Sequence, residues 1–168
     1  SAARWLRRDG LKVGDQVFVD QPLGASLRGL AKLQSGLRWD ALNPDLELAA
    51  HLNPAPNLGL GPRLARIPEV SACMDLSDGL SRDLRSMALA SGVTLRLNPG
   101  LGEEALRGGE DYARCFGCSL PQEELENKLG IQLIPVARAL PRGMDPVFLC
   151  DDGGDRPLPD LSFDHFGS

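Results

Sequence analysis

Apolar positions along this chain come in short groups with two periods. Val17, Phe18 and Val19 follow the Gly14-Asp15 turn as one compact run, which predicts a strand. From Ala25 to Gly36, Leu27, Leu30 and Leu33 share one helical face, and Gly36 supplies the stop. Leu37 to Pro44 reads as a loop and Asp45 to Leu52 as a short helix. Asn53-Pro54-Ala55-Pro56-Asn57 breaks that helix, because a residue before proline is pushed out of the helical region. Gly61 to Leu64 begins another short helix, with Pro62 near its first turn. Val70 to Met74 is a buried strand. Leu80, Leu84, Met87 and Ala88 then recur at helical spacing up to Gly92, and Val93, Leu95 and Leu97 alternate as a strand. Residues 98–109 form a Gly-rich loop. Asp111 to Phe116 is a strand, and Ser119 caps a helix that has Pro121 in its first turn and Leu125 and Leu129 on its apolar face. Ile131 to Val136 and Val147 to Cys150 are strands, Asp151-Asp152-Gly153-Gly154 is a turn, and Asp160 to Ser168 is a polar-aromatic tail.

Strands and helices interleave throughout, which predicts a layered α/β (α+β) domain. With 168 residues the chain fits one domain or one and a half and can bury a core without staples. Acids outnumber Lys and Arg by 23 to 18, so the net charge is −5 and no nucleic-acid footprint is expected. No apolar run approaches the roughly twenty residues of a membrane span, so no membrane partner is expected. The opening Ser1 to Arg8 has no apolar core of a signal peptide and reads as a helix already under way, as in a piece of a longer chain. Cys115-Phe116-Gly117-Cys118 is a lone C-x-x-C on a strand pattern, without the second pair of a zinc ribbon. Reduced, partly buried thiols and a cytoplasmic location are the expectation.

Chemistry concentrates in three clusters. In Asp75-Leu76-Ser77-Asp78-Gly79-Leu80, two carboxylates stand at the carboxyl end of a strand, where open α/β sheets bind ligands. Such a pair repels itself unless a cation lies between, and hard oxygen ligands suit magnesium held together with phosphates. The alternative is that Ser77 or Asp78 caps the helix and Asp75 is a solvated turn residue. Gly108-Gly109-Glu110-Asp111-Tyr112 is the second cluster: its glycines permit close approach to a ligand or positive φ, unless it is an ordinary loop with solvated acids. The tail Ser162-Phe163-Asp164-His165-Phe166 is the third, set to pack or to stack on a flat ring. A P-loop is absent, and Gly59-Leu60-Gly61-Pro62-Arg63-Leu64 lacks the third glycine of a dinucleotide fingerprint. Nothing supports a nucleophilic triad.

The order D-x-S-D-G-L, S-G-V, A-L-x-G-G-E-D-Y and F-D-H-F resembles the thiamine-monophosphate kinase family, within the superfamily of aminoimidazole ribonucleotide synthetase and selenophosphate synthetase. Leu6-Arg7-Arg8-Asp9-Gly10 with Val13-Gly14-Asp15, and His51-Leu52-Asn53-Pro54-Ala55-Pro56, resemble the family's entry into its second domain and its H-L-x-P-x-P linker. The resemblance covers nearly all of residues 1–168 and implies a single carboxy-terminal synthetase-like domain, a mixed sheet packed with helices, lacking the amino-terminal domain. It implies phosphorylation of thiamine monophosphate by ATP, in line and without a protein nucleophile, with several magnesium ions and a homodimer at full length. By the same resemblance Asp75 and Asp78 hold magnesium, Ser77 and Arg8 meet the nucleotide, Glu110 and Phe163 meet the substrate, and Gly108, Gly109 and Asp111 form a close-approach loop. Departures are Ser162-Phe163 in place of Gly and Tyr or Trp, Ala25 in place of a customary Asp, and a loop at 98–109 that is short for the family. The last two keep open a non-catalytic domain that binds a phosphorylated ligand or a partner, alongside a sister synthetase.

Overall fold

The computed structural model describes residues 4–151, 154–159 and 161. Strands β1 (Gln16–Val19), β2 (Val70–Asp75), β3 (Thr94–Leu97), β4 (Arg114–Cys118), β5 (Ile134–Leu140), β6 (Val147–Asp151) and β7 (Gly154–Pro157) form one sheet in the order β2-β4-β1-β5-β3-β6-β7. Neighbours are antiparallel except β3 and β6, which run parallel, so the sheet is mixed. The helices are α1 (Ala25–Gln34), α2 (Leu46–Leu52), α3 (Leu60–Leu64), α4 (Leu80–Ser91), α5 (Glu103–Arg107) and α6 (Gln122–Leu129).

Period-two alternation divides the strands between two cores. Val17 and Val19 of β1 face α4, where Leu80, Leu84 and Met87 close one core. Phe18 points the other way, toward Phe116 and the Leu60, Leu64, Leu125 and Leu129 side chains of α3 and α6. Helices therefore cover both faces of the sheet, while α1 and α2 pack on each other. An added Cβ at Gly29 of α1 would run into the Glu47 carbonyl of α2. Cys115 and Cys118, three apart on β4, face opposite cores and cannot act as one dithiol site; burial raises both thiols above their ordinary range. Among the described residues no helix is long and apolar enough to cross a membrane.

The structure corrects several expectations. Residues 4–7 are not helical; they run beside β2, where the Cys73 amide donates to Arg7 O at 3.0 Å and the Arg4 guanidinium reaches the Ile67 and Val70 carbonyls. The stretch 98–109 holds the five-residue helix α5, too short for periodicity to announce. Strand β4 begins at Arg114 instead of Asp111, since Glu110 and Tyr112 adopt left-handed φ of 64° and 51°. Helix α6 has Pro121 at its N-cap, with no side-chain cap; Ser119 does not serve. Strand β5 starts at Ile134, because residue 133 is held to α6: Leu133 N donates to Glu126 and Leu133 O accepts from Gln122 Nε2. The tail cluster with Phe163 lies outside the described residues.

Candidate functional site

Strand pairing brings the first two chemical clusters together. Strands β2 and β4 pair as far as Asp75 opposite Arg114. Beyond them the backbones stay joined: Leu76 N donates to Ala113 O at 2.9 Å, Tyr112 N to Leu76 O at 3.2 Å and Glu110 N to Ser77 O at 3.0 Å. The glycines of the second cluster serve this junction. An added Cβ at Gly109 would lie 2.7 Å from Ser77 O, and one at Gly108 would lie 2.7 Å from Glu104 O and 3.2 Å from Gly24 Cα. Close approach is thus to protein backbone. The positive φ open to these glycines falls instead on Glu110 and Tyr112, whose left-handed backbone is strained.

Three buried or half-buried carboxylates hold the loops. Neither Ser77 nor Asp78 caps α4; its N-cap is Gly79 at φ 100°, with no side-chain cap bond. Asp83, in the first turn, reaches back and accepts from Ser77 N at 2.9 Å and Asp78 N at 3.1 Å. Burial, more than the nearby charges of Asp78 and Asp75, raises its pKa. Asp111 caps α1 from 85 residues away, its Oδ2 accepting from Gly24 N at 2.7 Å and its Oδ1 from Ser26 N at 3.1 Å. Asp20 accepts from Arg114 N at 2.7 Å. Burial raises Asp111 and Asp20 likewise.

These bonds leave a cleft of about 380 Å³ between α1, α2 and the joined loops, lined among others by Ser26, His51, Ser77, Asp78, Gly109 and Glu110. His51 Nδ1 lies 3.0 Å from Ser26 Oγ and 3.7 Å from Glu110 Oε2. Leu27 and Leu30 of α1 form an apolar wall, and Arg82 and Arg107 add two cations. Ser77, Asp78, Gly109 and Glu110 of the sequence-predicted set therefore share one cleft. Asp75 is exposed at the end of β2 beside it, Gly108 and Asp111 are buried behind it, and Arg8 sits elsewhere: its carbonyl accepts from Ser91 Oγ, at the opposite end of α4 from Asp78. Sequence reasoning missed His51, Ser26, Arg82, Arg107 and Asp83; only Asp83, one helical turn beyond Gly79, carried a local signal. Among the described residues no three His, Cys, Asp or Glu side chains gather as a metal-holding group. Asp75 and Asp78 are both exposed, and the charges of both add to the rise of Asp83.

No family model matches the chain. The thiamine-monophosphate kinase of Escherichia coli K12 is 34% identical over 185 aligned residues, covering 98% of this chain and 56% of that relative. The thiamine monophosphate kinase ThiL of Aquifex aeolicus superposes with a TM-score of 0.72 at 28% identity, covering 92% of this chain and 56% of that one. AaThiL complexed with AMPPCP and TMP gives a TM-score of 0.75 at 27% identity, covering 97% of this chain and 55% of that one. The fold is the aminoimidazole ribonucleotide synthetase-like one. The chain spans little more than half the length of the relatives it matches, and the sequence and fold together make it a homologue of the thiamine-monophosphate kinases, matching their carboxy-terminal part.

Proposed function

We propose that this chain is the carboxy-terminal part of an enzyme that transfers the γ-phosphoryl group of ATP to thiamine monophosphate, forming thiamine diphosphate. The observation that carries this reading is the backbone junction of residues 76–77 with 110–113, which sets Ser77, Asp78 and Glu110 on one cleft. A phosphate oxygen of the acceptor attacks the γ-phosphorus in line as the bond to ADP breaks, so the protein positions and neutralises and needs no nucleophile. Magnesium held by Asp75 and Asp78 would neutralise the phosphate oxygens of ATP. Ser77 meets the nucleotide, while Glu110 faces the cationic thiamine ring, with Phe163 against that ring. Arg8 joins the nucleotide side only through the part of the site that the remaining length of the relatives supplies. In this reading the full-length protein is a homodimer, and the chain alone holds half a site. Its four cysteines are unpaired, in keeping with the cytoplasm.

The test is formation of thiamine diphosphate from thiamine monophosphate, ATP and magnesium, by the chain alone and by the chain extended through its natural upstream sequence. Turnover by the extended protein, abolished by Asp78→Asn and strongly reduced by Glu110→Gln, is the expected result. A folded extended protein without turnover overturns the reading.

A further inference from the structure

We infer that Arg82 and Arg107 form the subsite for the phosphate monoester of the acceptor; this rests on the proposed function and assigns the charges of the same cleft. Its lining is divided by chemistry. Leu27 and Leu30 supply the apolar wall, Asp78 and Glu110 the negative charges, and Arg82 and Arg107 the guanidinium groups. A ligand that joins a cationic aromatic ring to a phosphate dianion needs all three. Glu110 answers the cation; the dianion requires donors, and guanidinium is the side chain best matched to phosphate oxygens.

The fold brings the two arginines in from separate elements. Arg82 stands in the first turn of α4, one turn beyond Asp78. Arg107 ends α5, which is tied to α1 by the Arg28–Glu104 ion pair at 2.7 Å. Its carbonyl lies against Gly79, where an added Cβ would be 3.0 Å away, so the Arg107 backbone packs on the residue that follows Asp78. Both side chains are about half exposed. The ion pairs found for them are with residues four positions earlier: Asp78, just before α4, at 3.9 Å for Arg82 and Glu103 of α5 at 3.0 Å for Arg107. Exposed pairs of this kind contribute little, so a phosphate readily draws both guanidiniums away. A carboxylate at Asp78 that turns to a cation releases Arg82 further.

The experiment compares binding of thiamine monophosphate and of unphosphorylated thiamine by calorimetry, without ATP, in the extended protein. The wild type is expected to prefer the phosphorylated ligand. In Arg82→Gln/Arg107→Gln that preference falls by about ten- to a hundredfold, the worth of hydrogen bonds to a charged group, while thiamine binding stays unchanged. The double lysine variant recovers part of the preference, since it keeps charge without the planar fork. A double glutamine variant that retains the wild-type preference, or that loses both ligands equally, overturns the inference and leaves the kinase reading in place. A folded wild type that binds neither ligand overturns both.

Discussion

Asp20 joins two strands through one oxygen: its carboxylate, just past β1, accepts from the Arg114 amide that opens β4. Burial is the first cause of its raised pKa, so the folded protein binds this proton more tightly than the unfolded chain. The sign follows directly. Asp20 favours folding fully below the ordinary carboxylate range, and that contribution is lost as pH rises toward the folded value. Asp20→Asn keeps an acceptor for Arg114 N and removes the proton. Its stability relative to wild type should therefore grow as pH rises across this window and level off above it, as read from urea midpoints between about pH 3 and 7. A difference that stays flat with pH would rule the assignment out. The acids separate here in a way the sequence shows only in part. Asp75 and Asp78 are exposed and read correctly as a strand-end pair. Asp20 and Asp111 act on amides roughly ninety positions away, and no local pattern marks such partners.

Helix α1 begins without a cap of its own. Gly24 has φ 88° and no side-chain acceptor, and Asp111 supplies both missing acceptors. Asp111→Ala should cost about 1–2 kcal/mol, the scale of losing a helix cap, and should speed hydrogen exchange at the Gly24 and Ser26 amides before the rest of α1. Unchanged exchange at those two amides would show that α1 is held by its contact with α2 instead. Leu27, Leu30 and Leu33 made α1 and its start at Ala25 legible in the sequence, but not its cap, which lies between β3 and β4 in sequence. Helix α5 went unread for a different reason. Five residues give barely more than one turn, and its place is set by Glu104 meeting Arg28 and Gly24 rather than by an apolar stripe.

Across the whole molecule, one sheet serves two cores, and β1 feeds both from consecutive residues. Leu84→Ala on the α4 side, or Leu125→Ala on the α6 side, should each cost about 2–5 kcal/mol. Each variant should still unfold in one transition, with far-UV circular dichroism and hydrodynamic radius changing together. Two separated transitions in either variant would mean that the faces unfold independently. The compact apolar runs marked β1 and β2 as buried strands, but neither the division into two cores nor the strand order was legible, because every neighbour of β1 and β4 is distant in sequence. That order puts the strand carrying Asp75 last in the sheet, with residues 4–10, among the described residues, laid along its outer side. Peel that strip away and the outward backbone groups of β2 become an open edge, a template on which a second chain can add a strand. The strand that delivers the candidate site is then also where the protein would start to aggregate.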